Sequence, residues 1–258
     1  MSPRPGLGLL PRDLRQLLAF VPTHGWDALP WRPLLRELRG ITLQLATGRG
    51  VAELAASVER LTDAVALTDD LHGVDIERLG PRQRKAAGDA LLRFYFAQWR
   101  SEQGLFLDLR PSRCRWHRAT LQFSPSGLHT RLGDEFRRGM IDLYLGFYLP
   151  DEVRLDDALY RLGFLHPELS DDDADELRGL LREHFGASTT AQAFSIDEFR
   201  ASFDALFEFF IEHDYQLPAD FVLVGFYLIT LYLSLDALGA RHDVRALCLR
   251  ELAAECSD

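Results

Sequence analysis

Residues 104–132, GLFLDLRPSRCRWHRATLQFSPSGLHTRL, decide how the fold is read. Short apolar segments, turn residues and clustered charge meet in this stretch and nowhere else in the chain. Arg115–His117 and Thr120–Phe123 are spaced to pair as a small hairpin. Arg118-Ala119 would be its turn, although neither residue is a usual turn former. Chemistry is therefore sought here first.

Outward from this stretch the pattern is helical. Upstream, Ala87, Leu91, Phe94, Tyr95 and Trp99 line one side of a helix that Pro81 can open at its first turn. Before it, Ala64–Thr68 is short, apolar and β-tolerant, which reads as a strand or extended hinge. Leu54, Val58 and Leu61 suggest one helix, and Leu34, Leu35, Leu38, Ile41 and Leu45 another. A short helix over Leu14–Val21 follows a Pro- and Gly-rich arm over residues 1–13. Downstream, helices are expected over Asp134–Tyr148, Asp151–Leu162, Asp171–Phe185, Ser195–His213, Ala219–Leu238 and Asp243–Glu255. Ser195 with Glu198 makes a capping-box pattern. Asp171, Asp172 and Asp173 suit the positive end of a helix dipole better than a metal ion. The expected class is mainly α with a small amount of β in the middle.

Composition narrows the function. The 258 residues carry a formal charge of −10, which argues against general nucleic-acid binding. Three cysteines, Cys114, Cys248 and Cys256, are widely spaced and form no CxxC, so neither a disulfide framework nor a zinc knuckle is expected. The cysteine usage makes a reducing cytoplasm the expected setting, and with no continuous apolar core at the N-terminus no signal peptide is expected. Phe221–Leu235 is the most apolar run. It is short of the roughly 20 residues a membrane span needs, so it reads as a buried core helix and no transmembrane span is expected.

The order of segments over residues 64–240 resembles the UbiB/AarF-type atypical kinases of quinone biosynthesis. Val65–Leu79, VALTDDLHGVDIERL, is similar to that family's hinge strand and the acidic turn after it. The helix ending at Gly104-Leu105-Phe106 resembles the one that leads into its catalytic loop. Gly163 resembles its helix-ending Leu-Gly, and Tyr215–Leu238 its late segment, in which Leu-Pro opens a long apolar helix. The resemblance implies a protein-kinase-like C-lobe over residues 64–258, preceded by a reduced N-terminal lobe over residues 1–63.

The family's catalytic residues are not carried over. Where it has His-Ala-Asp-Pro-His-Pro-Gly-Asn, this chain has Leu107-Asp108-Leu109-Arg110-Pro111-Ser112-Arg113-Cys114. The acidic position falls on Leu109 and the metal-binding Asn on Cys114. The family's Asp-Phe-Gly falls on Pro125-Ser126-Gly127. Phosphoryl transfer needs oxygen ligands to hold magnesium against phosphates, and these side chains supply none. Lys85, the only lysine, lies after the hinge rather than before it. The implied protein is an inactive pseudokinase-like scaffold or ligand-binding protein of a biosynthetic complex, without catalytic residues, cofactor or metal. The alternative is an enzyme with atypical nucleotide or small-molecule chemistry at Asp108, Arg113 and His117.

Two groups remain as binding candidates. Arg110, Arg113, Arg115, His117 and Arg118 form a basic island that suits an anion or an acidic partner, or else pairs with the protein's own acids. Cys114, between two arginines, would have a lowered thiol pKa. Phe199, Phe203, Phe207 and Phe210 lie at helical spacing, which suits core packing or an apolar groove for an isoprenoid or a partner helix. The expected partner is another protein or a second copy of the chain, with a lipid as candidate ligand at a membrane periphery. No nucleic acid is expected.

Overall fold

The computed structural model describes residues 29, 31–185, 191, 193–215 and 217–253. The arm expected over residues 1–13 and the helix over Leu14–Val21 lie outside the described residues, as does Cys256. The fold is mainly helical with a small sheet. In order, the elements are α1 (Trp31–Thr47), α2 (Val51–Leu61), β1 (Val65–Leu67), β2 (Val74–Asp75), α3 (Pro81–Gln98), β3 (Leu105–Phe106), β4 (Cys114–His117), β5 (Thr120–Phe123) and β6 (His129–Thr130). Helices α4 (Asp134–Tyr148), α5 (Glu152–Arg161), α6 (Asp171–Phe185), α7 (Ile196–Glu212), α8 (Ala219–Leu238) and α9 (Val244–Leu252) complete it.

Local chemistry fixes the helix ends. Pro81 opens α3. Asp151, Ser195 and Asp243 cap α5, α7 and α9 by accepting from the backbone N–H three residues on, at 3.1, 3.4 and 2.9 Å. Each such cap is worth about 1 kcal/mol. Asp171, Asp172 and Asp173 occupy the first turn of α6, where the helix dipole favours acids.

The hairpin expected from residues 104–132 is present, with Trp116 opposite Leu121 and His117 opposite Thr120. It sits in a four-stranded sheet of order β1-β5-β4-β2. The apolar segment after α2 is a strand, and it pairs parallel with β5, Val65 opposite Leu121. A second, two-stranded sheet joins β3 to β6. Gly104 makes that pairing possible: its φ is +124°, and a Cβ there would stand 2.2 Å from the Thr130 carbonyl oxygen.

The core is continuous. Leu34, Leu38, Leu54 and Val58 share one buried cluster with Leu91, Phe94, Phe123 and Leu223, so α1 and α2 pack on the same core as the rest. At its centre is α8. By composition it could cross a membrane, with a mean hydropathy of 2.0, yet 78% of that window is buried inside the protein. Its polar side chains explain this. Thr230 and Ser234 are fully buried and bonded to another segment, a role that lipid would leave unfilled.

Candidate functional site

The loop after β3 is held from below by α8 and from behind by α3. Thr230 Oγ1 accepts from the Leu109 N–H at 3.1 Å and donates to the Leu107 carbonyl at 2.8 Å. Ser234 Oγ donates to the Leu109 carbonyl at 2.5 Å. Gln98 on α3 accepts from the Phe106 N–H at 2.8 Å and donates to the Tyr227 hydroxyl at 2.6 Å. Every one of these bonds is buried, so the backbone of residues 106–109 is fixed in a single path.

That path turns Asp108 inward, where it is 1% exposed. Arg110 grips its carboxylate with both edges of a fork, Nε to Oδ1 at 2.6 Å and Nη2 to Oδ2 at 2.8 Å. Arg113 adds a third bond, Nε to Oδ2 at 3.0 Å. Burial pushes the carboxyl pKa up, but the Arg110 and Arg113 guanidiniums outweigh it and hold it below the usual carboxylate value. An ionised carboxylate saturated by two guanidiniums is a poor general base and offers no open side to a cation.

The rest of the island divides. Arg115 pairs with Asp75 at 2.9 Å across the neighbouring strand and donates to the Cys114 carbonyl at 2.9 Å. His117 stands 6.3 Å from the His72 ring, centre to centre, and His72 pairs with Asp70 at 3.2 Å. Arg118 is exposed at the hairpin tip. The structure thus brings Asp108, Arg110 and Arg113 together, places Arg115 over the sheet edge, and leaves His117 and Arg118 at the far end of the hairpin.

The expectation for Cys114 needs correcting. It is fully buried, and burial, with the Asp108 charge, drives its thiol up to about 12 despite Arg115 nearby. Adjacent arginines in sequence point away from it, one to Asp108 and one to Asp75. It is not a nucleophile. His213 takes the C-cap position of α7, its ring beside Phe209 and 3.7 Å from Asp173.

The aromatic stripe lies inside the protein. Phe199, Phe203, Phe207 and Phe210 are each 5% exposed or less. Phe199 stacks on Phe203 at 5.4 Å and meets Tyr232 of α8 at 4.6 Å. Gly225 on α8 lets Phe203 in: a Cβ there would be 2.7 Å from its ring. These rings join α7 to α8 and line no open groove.

Over Pro125-Ser126-Gly127, Ser126 Oγ accepts from the Leu128 N–H at 3.2 Å, His129 Nδ1 lies 2.9 Å from the Gly127 carbonyl oxygen, and no carboxylate is on the segment. Among the described residues no group of three or more His, Cys, Asp or Glu is placed to hold a metal ion.

Sequence reasoning passed over an open pocket of about 420 Å³ on another side of the molecule. Arg100, Arg137, Arg138 and Arg161 converge on it from three separate segments. The only sequence signal was the Arg137-Arg138 pair near the start of α4, which reads as an ordinary solvated face. Comparison with known families found no family model that matches this chain, and comparison with curated proteins found no match either.

Proposed function

We propose that this chain is a catalytically silent, pseudokinase-like protein of the UbiB/AarF kind, which holds a protein partner or a lipid-like ligand for a biosynthetic complex. The observation that carries this reading is the state of Asp108. It is the one carboxylate in the loop that follows Gly104-Leu105-Phe106, and two arginines and a buried backbone occupy it completely. Phosphoryl transfer requires carboxylate oxygens free to meet magnesium. The order of segments agrees with the resemblance: a strand, a helix, a loop held on the core, a hairpin, then a helical bundle. The competing enzyme reading gains no support, since His117 sits at the opposite end of β4 from the Asp108 clamp.

The test is turnover. The purified chain is incubated with ATP and magnesium, and phosphate release is followed. Release at the level of a protein-free control is expected. Robust release that disappears in Asp108→Asn, while melting shows that variant still folded and Arg118→Ala keeps full activity, would overturn the reading.

A further inference from the structure

The pocket of about 420 Å³ lies between the turn after α3, the outer face of α4, the end of α5 and the last turn of α9. Its volume is within the range of small-molecule sites, about 300–1,000 Å³. Its walls bring four arginines against two acids, Glu102 and Asp142. A local excess of positive charge is unusual on a chain whose formal charge is −10.

Acids take up part of this charge, and Glu135 stands 3.8 Å from Arg161. Asp142 is engaged by Arg161 at 2.7 Å and by Arg154 at 3.7 Å. Arg137 is only 11% exposed in its side chain. It donates through Nη1 to the Trp99 carbonyl at 3.1 Å, and its Nε is buried with no hydrogen-bond partner. The nearest acid, Asp134, stands 3.9 Å from that nitrogen and is itself largely exposed. A guanidinium this buried, with so loose a counter-charge, is costly unless an anion compensates it. Arg138, the next residue, is exposed and makes no ion pair with any described residue. Ile141, partly exposed, and Leu145 and Leu252, each 1% exposed, complete the lining with apolar side chains.

We infer that this pocket binds a small organic phosphate, with the oxyanion held by Arg137 and Arg138 and the apolar body resting on Ile141, Leu145 and Leu252. Arginine suits this because its planar fork meets phosphate with two parallel bonds. The inference is independent of the kinase resemblance, since no residue of the Asp108 loop takes part. Two sources share this chemistry: a soluble phosphate ester and the headgroup of an anionic lipid.

Calorimetric titration with inorganic phosphate and with hexyl phosphate tests the site. Hexyl phosphate is expected to bind at least tenfold more tightly, because the apolar lining buries part of its chain. Arg138→Ala is expected to weaken it about tenfold, the effect of one charge-assisted contact. Arg82→Ala, at an exposed position in the first turn of α3, is expected to change nothing. Sedimentation with phosphatidylcholine vesicles containing phosphatidic acid separates the sources: Arg138-dependent co-sedimentation assigns a membrane headgroup, and hexyl phosphate binding without it assigns a soluble ester. The inference is overturned if neither hexyl phosphate nor the vesicles bind in a manner that depends on Arg138. Equal losses in Arg82→Ala and Arg138→Ala would also overturn it, as they report general charge attraction.

Discussion

The protein has two arginine clusters, built in opposite ways. Arg110 and Arg113 are neighbours in sequence, and both turn to the same buried acid. Arg100, Arg137, Arg138 and Arg161 are spread over more than sixty positions of sequence and meet around open space. The first cluster is dense in sequence and closed in space, with both guanidiniums bound to one buried carboxylate. The second is sparse in sequence and faces open space, and its Arg138 makes no ion pair with any described residue. Clustering along the chain says little about where charge is available. What decides is whether an acid lies within reach when the backbone takes its path, and in the loop after β3 Asp108 does.

Removing that acid gives the largest expected effect. Asp108→Ala leaves two partly buried guanidiniums facing a void, and breaking a buried pair in this way costs about 3–5 kcal/mol. Arg138→Ala in the open cluster is a surface change within about 0.5 kcal/mol of zero. Urea unfolding of both variants measures the contrast. Equal losses would mean that the two clusters do not differ as described.

The same acid makes a pH prediction. Its folded-state pKa is depressed below the unfolded value, so it binds fewer protons when folded. The stability it adds is present above about pH 4, the unfolded carboxylate pKa, and is lost as pH falls through the lower folded pKa. Urea midpoints taken from pH 7 downward should fall on that acid limb in the parent chain. The fall should be shallower in Asp108→Asn, which has no carboxyl to titrate.

Thr230→Val probes the support beneath the clamp. Valine keeps the shape but strands the buried Leu109 N–H and removes the donor to the Leu107 carbonyl. An unmet buried partner costs about 1–3 kcal/mol. A loss in that range should be accompanied by faster amide exchange at Leu109. Unchanged exchange would show that the loop does not depend on α8.

Much of the architecture was legible in the sequence. Asp134–Tyr148, Asp171–Phe185 and Ala219–Leu238 form helices with the bounds that capping residues and apolar spacing predicted. The hairpin was legible because its pairing is local. The parallel pairing of Val65–Leu67 with Leu121–Phe123 was not, since more than fifty residues separate the partners and neither strand's composition names the other. The Asp108 clamp had a signal, an acid two and five residues before arginines, but the own-acid alternative for the island rested on the weakness of surface charge and not on that spacing. The aromatic stripe gave its helix and its core face, but periodicity cannot say whether a facing element covers it. Here α8 does, through Gly225. The arginine pocket was illegible for the same reason as the parallel strands: its parts come together only through tertiary contacts.

The one expected gain lies outside both clusters, at the hairpin tip. Arg118 and Ala119 have φ of +48° and +64°, the left-handed region that a tight two-residue turn demands at both positions. Neither residue favours it, and the conformation costs a side chain about 1–2 kcal/mol per residue. Glycine adopts it freely but loses more entropy on folding. For Ala119→Gly the relief of strain should exceed that entropy, giving a net gain of up to about 1 kcal/mol, read as a rise in the urea midpoint. The tip makes no contact with the Asp108 clamp, so the gain should add to the loss in Asp108→Ala without coupling. A double variant that departs from additivity would show that the strained turn and the sealed loop form one cooperative unit, and the hairpin would then belong to the clamp and not stand apart from it.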